Sequence, residues 1–155
     1  MIQSISEMIV FFREKHTGLK GCAIDEIAQL EQHYQITLPS AYRAFLMLLG
    51  HGAIDYEVGS DYEYSWLFEL KDYANGILKE NNRQTLPDNT FVFWGHHGYQ
   101  FLYFYTDTKE DDPLVYYYNE CYEIQDFLKI SSLIQVLCEP EIRGKALKTV
   151  KCKYL

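Results

Sequence analysis

Few residues in this 155-residue chain have the type and spacing to do chemistry, and they are scattered. His96 and His97 are its one adjacent histidine pair. Neighbours on a strand point to opposite faces, so the two chelate one ion poorly unless a turn redirects a ring. His16, His33 and His51 fall on helix ends or loops, and no H-E-x-x-H or H-x3-H spacing relates any of them. Cys22, Cys121, Cys138 and Cys152 lie far apart without a C-x-x-C, which predicts free thiols rather than a zinc ribbon or a redox pair. G-x-S-x-G, the P-loop, G-x-G-x-x-G and the EF-hand loop are all absent. One nucleophile remains to weigh, Cys121 beside a histidine brought near by folding; the competing reading is a buried thiol behind a tyrosine-rich strand. These residues predict no metal, no cofactor and no catalysis.

Carboxylates and tyrosines are the abundant functional groups. Residues 51–80 hold seven acids (Asp55, Glu57, Asp61, Glu63, Glu69, Asp72, Glu80) against two lysines. Residues 107–126 hold seven more (Asp107, Glu110, Asp111, Asp112, Glu120, Glu123, Asp126) against Lys109. From Arg143 to the end there are five basic residues and no acid, which reads as a solvated basic tail rather than an RNA contact. The whole chain carries a net charge of −8. That balance argues against a nucleic-acid binder driven by phosphate contacts and against docking on an anionic membrane; it favours basic partners.

The elements that must position these groups change period along the chain. Ser4 and Glu7 have capping-box spacing ahead of Ile5, Met8, Ile9 and Phe12, which predicts a helix over Ser4–His16. A second is expected over Ala23–Tyr34, with Ile27, Leu30 and Tyr34 inward and Glu26 and Glu31 solvated. A third is expected over Pro39–Leu49, with Pro39 as its first residue and Gly50 or Gly52 as its stop. Asp55–Val58 and Trp66–Leu70 read as short strands and Lys71–Asn81 as a short helix. Phe91–Trp94, Gln100–Tyr105 and Leu114–Tyr118 are aromatic and β-branched runs bounded by turn residues, and Ser131–Cys138 reads as a closing helix. Helices followed by a meander, without β-α-β alternation, predict an α+β fold: N-terminal helices on a mainly antiparallel sheet, with a C-terminal helix. With Tyr103 opposite Tyr116, one face of the hairpin carries Phe101, Tyr103, Tyr105, Leu114, Tyr116 and Tyr118. The other carries Leu102, Phe104, Val115 and Tyr117, turned to the helices. Two readings of the first face stand open: a second core layer under loops, or a binding face.

The length suits a single domain over 1–155, with a core of roughly 5–138 and the tail at 143–155. No apolar run approaches the ~20 residues of a membrane span. The first residues show no basic n-region and no small-residue cleavage site, so no signal peptide is expected and a cytoplasmic location is.

From Ile27 to Gly52 the chain reads IAQLEQHYQITLPSAYRAFLMLLGHG. The I-x-x-L-E element (Ile27, Leu30, Glu31) and L-P-x-x-Y-x-x-F-L (Leu38, Pro39, Tyr42, Phe45, Leu46) resemble the SUKH superfamily, the Smi/Knr cell-wall-assembly regulators. Gly50-His51-Gly52 replaces the Asn-Gly-Gly common at that helix end. The resemblance covers roughly residues 5–138 and implies an α+β fold without enzymatic activity. It implies a protein-binding role, as an immunity protein that neutralises a toxin by stoichiometric occlusion, possibly a nuclease; the alternatives are a regulatory or scaffold module and, further off, a small-molecule enzyme. A nuclease cleft holds phosphates with Lys and Arg, so an acidic surface can act as its decoy, although a charge run can equally be plain solvated surface. On this reading Asp55, Glu57, Asp61, Glu63, Glu110, Asp111 and Asp112 are the expected steering charges, and Tyr103, Tyr105 and Tyr116 the expected anchors, for a basic toxin domain.

Overall fold

The computed structural model describes residues 1–123 and 127–154; Asp126 of the second acidic zone and Leu155 of the basic tail lie outside them. Three helices lead: α1 (Ile5–Lys15), α2 (Ile24–Tyr34) and α3 (Ser40–Leu49). Ser4 caps α1: the Glu7 N–H donates to its hydroxyl at 3.1 Å, and the hydroxyl donates to the Glu7 carboxylate at 2.9 Å. The turn from α2 to α3 closes on Glu31, whose carboxylate accepts the Leu38 N–H at 2.7 Å while its carbonyl accepts from Ile36. Glu31 is thus a structural acceptor, not a solvated charge. Pro39 stands just ahead of α3 in an extended conformation, so the helix starts one residue later than expected. Gly50 and Gly52 divide the stop between them. Gly52 takes the left-handed turn at φ +105°, whereas Gly50 is right-handed and must lack a side chain, because a Cβ there would lie 2.3 Å from the Cys22 sulfur.

Two expected strands are not strands. Asp55–Val58 is a tight turn in which Glu57 has φ +46° and Tyr56 is buried, its hydroxyl donating to the Leu137 carbonyl at 2.8 Å. Trp66–Leu70 spans the end of α4 (Tyr64–Leu67) and the start of α5 (Leu70–Glu80); its buried residues, Leu67 and Leu70, are three apart, the spacing of a helix.

The sheet is a four-stranded antiparallel meander in the order β1 (Thr90–His96), β2 (Gln100–Tyr105), β3 (Leu114–Asn119), β4 (Leu128–Ser132). Tyr103 pairs with Tyr116, the register expected of the hairpin. The short β4 takes the first residues of the expected closing helix, and α6 (Leu133–Cys138) starts only after Ser132, whose hydroxyl accepts the Gln135 N–H. The basic end folds further into α7 (Ile142–Ala146) and a 3-10 turn over Leu147–Thr149. Arg143 is no tail residue: its guanidinium pairs with Glu57 at 2.6 Å and lies 4.0 Å from the Trp94 ring centroid.

The main core lies between one sheet face and the helices. The Tyr42 ring meets those of Phe45, Phe91, Phe93 and Phe104, while Phe45 meets Phe12, Tyr56 and Tyr62. α6 packs on α1 and α3. The opposite sheet face carries a second, thinner layer, in which Phe127 covers Phe101, Tyr103 and Tyr118 and the Arg83 guanidinium lies over Tyr118 and Phe127. Among the described residues no helix is long and apolar enough to cross a membrane.

Candidate protein-binding surface

The β2–β3 connection, residues 106–113, brings acids and tyrosines together. It is a long hairpin loop held rigidly. Its first amide, of Thr106, donates to the Asn89 carbonyl at 2.8 Å, and Asn89 Nδ2 donates to the Asp107 carboxylate at 2.9 Å. Asp111 sits over the start of α3, accepting from the Ser40 hydroxyl at 2.6 Å and, through its carbonyl, from the Ala41 N–H at 3.0 Å. A carboxylate there also meets the positive end of the helix dipole. Asp112 accepts the Ile134 N–H of α6 at 2.7 Å, and the Pro113 carbonyl accepts that of Leu133 at 2.8 Å. With Ser132 taking Gln135, each of the first three amides of α6 has an acceptor.

What this loop exposes is Asp107, still bonded to Asn89, with Lys109, Glu110 and the outer side of Asp111. They border a cleft of about 400 Å³ shared with Thr37–Ser40 and Arg43. Beside the tip, Leu114 is 39% exposed and Tyr105 and Tyr116 are half-buried, their rings edge to face at 5.3 Å.

The other expected contact residues are placed elsewhere. Tyr103 is 1% exposed, stacked on Tyr116 at 5.4 Å and covered by Phe127; burial pushes its hydroxyl far above the ordinary tyrosine range, and it is interior. Glu57 is spent on the fold: its carboxylate takes Arg143, the Trp94 indole N–H at 3.2 Å and the Ser60 hydroxyl at 3.0 Å. Asp61 bridges the Gly95 main chain, and Glu63 lies against Gly52. Asp55 accepts from the Thr17 N–H at 3.0 Å and lies 3.3 Å from His16 Nδ1, beyond the C-terminal end of α3. Asp111 marks its N-terminal end, so the helix, roughly 15 Å long by its rise, separates the two acidic groups. Of the expected set, Glu110 and Asp111 line the cleft at the hairpin tip, Tyr105 and Tyr116 lie together on the sheet face opposite the helices where the strands meet that loop, and Asp112 stands behind the tip as a cap. Asp107 and Leu114 belong with them; the nearest sequence signal was their flanking of the hairpin run.

Neither the adjacent histidine pair nor Cys121 gathers a site around it among the described residues. His97, at φ +52°, does turn its ring beside His96, 3.8 Å between centroids, but His96 Nδ1 is engaged by Ser60 at 2.9 Å and no third ligand gathers there among the described residues. Burial and the neighbouring His97 lower the His96 pKa. Cys121 lines a cleft of about 680 Å³ beneath α7, with no histidine among its lining residues; burial raises its thiol pKa. The polar floor of that cleft is bonded to itself: Tyr117 donates to Gln100, and Asn119 donates to Tyr117 at 3.1 Å. All four cysteines are free.

Helices on one face of an antiparallel meander, with acids on a rigid exposed hairpin tip, define a small α+β domain whose polar groups are displayed outward. Residues 24–132 match the model of the SMI1-KNR4 cell-wall family, SUKH_6. The chain belongs to that family. No curated protein and no solved structure gives a significant match.

Proposed function

We propose that this chain is a cytoplasmic, non-enzymatic protein-binding domain, an immunity protein that neutralises a toxin by one-to-one occlusion, and that a basic nuclease domain is the class of toxin its surface fits. Membership of the SMI1-KNR4 family supports the binding role. The observation that carries the rest is the hairpin tip, where Asp107, Glu110 and Asp111 stand exposed on a loop pinned to α3 and α6, next to Leu114, Tyr105 and Tyr116. A pinned loop loses little freedom on binding, its charges steer encounter with a phosphate-binding cleft, and its apolar neighbours slow release.

The test begins with affinity capture from the native host and sequencing of what is held. The expected partner is a basic toxin domain whose activity falls to zero at one equivalent of this chain. Capture of a non-toxin regulator instead, with no toxin protected against in a co-expression assay, would overturn the immunity reading in favour of a scaffold.

A further inference from the structure

We propose that Cys22, Glu26 and His51 form a binding site for one zinc ion. The thiol sulfur, a carboxylate oxygen and an imidazole nitrogen lie within 4.8 Å of one another. The edge of a tetrahedral zinc site is roughly 3.5 Å, given bonds of about 2.0–2.3 Å, so a rotamer adjustment closes the set. His51 Nε2 already faces both Glu26 oxygens, at 2.9 and 2.8 Å.

Three backbone hydrogen bonds hold the donors in place. The Cys22 N–H donates to the Leu46 carbonyl at 2.8 Å, the His51 N–H to Lys20 at 2.8 Å, and the Lys20 N–H to Gly52 at 2.9 Å. This clamp lays residues 20–22 along the end of α3. Glu26 is fixed from two sides: its carboxylate accepts the Ala23 N–H at 2.9 Å, and its carbonyl accepts the Tyr64 hydroxyl at 2.8 Å. The Tyr64 ring also backs His51 edge-on at 5.4 Å. The missing side chain at Gly50 leaves the room the Cys22 sulfur occupies.

The ligand chemistry selects the ion. One thiolate, one imidazole and one carboxylate make a borderline-soft set that suits zinc and is too soft for magnesium or calcium. A thiolate and a carboxylate carry two negative charges, which a dication neutralises. Cys22 is buried and His51 exposed, so the ion enters from the solvent side and water completes the fourth position. Binding releases the thiol proton and any proton shared between His51 and Glu26. The main core closes without the ion; zinc would add a cross-link between the start of α2 and the end of α3.

The test uses the whole chain, stripped with a chelator and titrated with cobalt(II) and then zinc. One equivalent of cobalt should bring up a thiolate-to-cobalt charge-transfer band together with the intense visible bands of four-coordinate cobalt. One equivalent of zinc should abolish both and raise Tm. Cys22→Ser should remove the charge-transfer band. His51→Ala, at an exposed position, and Glu26→Gln, which keeps an acceptor for Ala23, should each weaken zinc binding at least tenfold with an unchanged circular dichroism spectrum. A Cys121→Ser, Cys152→Ser double variant should bind like the parent. The proposal fails if the folded parent shows no stoichiometric charge-transfer band, or if the band follows Cys121 and Cys152 rather than Cys22.

Discussion

One residue and one ion pair expose the energetic choices of this core. The Tyr42 hydroxyl is buried with no hydrogen-bond partner among the described residues, although its ring packs against four others. An unsatisfied buried hydroxyl costs about 1–3 kcal/mol, so Tyr42→Phe is expected to hold or raise stability; a loss above about 1 kcal/mol in urea melts would reveal a hidden partner. Glu57 and Arg143 make the opposite case. Their side chains are 8% and 18% exposed and pair at 2.6 Å. Removing one partner of a largely buried pair costs about 3–5 kcal/mol, whereas replacing both by neutral residues of similar volume costs far less. Arg143→Ala should therefore destabilise by about 3 kcal/mol, and Glu57→Gln with Arg143→Met should recover most of it, again read from urea midpoints.

At the scale of elements, the acids serve as connectors. Asp112 is the acceptor for the second amide of α6, so Asp112→Ala should cost about 1 kcal/mol and Asp112→Asn should retain part of the bond. Asp55 ties the turn after α3 to the end of α1. The Thr17 N–H, and then His16, hold its carboxyl below the ordinary carboxylate range. A group whose folded pKa is lowered stabilises above its unfolded pKa and loses that contribution as pH falls through the folded one. The gap in urea midpoint between the parent and Asp55→Ala should be full at pH 6, narrow below about pH 4 and close at lower pH. These roles explain what was legible in the sequence. Periodicity located α1, α2 and α3 to within a residue or so, and strand lengths set Tyr103 opposite Tyr116, because both follow from neighbours along the chain. Trp66–Leu70 misled because five apolar-rich residues fit either period. The duties of Glu31, Glu57, Asp111 and Asp112 depend on amides, a hydroxyl or a cation up to 86 residues away; a carboxylate's letter is the same whether it caps a helix or meets water.

For the molecule as a whole, net charge overstates the usable field. Of the acids expected to steer, Glu57 is internally neutralised, and Asp55 and Asp111 lie toward opposite ends of α3. Steering by the hairpin tip should therefore depend on Asp107 and Glu110, whose reversal leaves the helix caps at Asp111 and Asp112 intact. With a captured partner on a sensor surface, Asp107→Lys with Glu110→Lys should slow association about tenfold at low salt and flatten its salt dependence, with little change in dissociation. Tyr116→Ala should speed dissociation instead. If association and its salt slope stay unchanged in the double reversal, the tip is not the docking edge.

The seating of α6 on α1 and α3, with Tyr56 bonded to Leu137, has a consequence for how the chain is made. The ribosome delivers α1 through α3 long before the segment that roofs them. At about 5–20 residues per second, the first three helices wait on the order of 5–20 s for α6 to emerge. During that interval Phe12, Phe45 and Tyr56 lack their final cover, and the nascent chain presents an aromatic surface to whatever surveys the exit tunnel. Rare codons placed between residues 50 and 138 would lengthen this window, and a chaperone that holds aromatic segments would act here rather than on the finished domain.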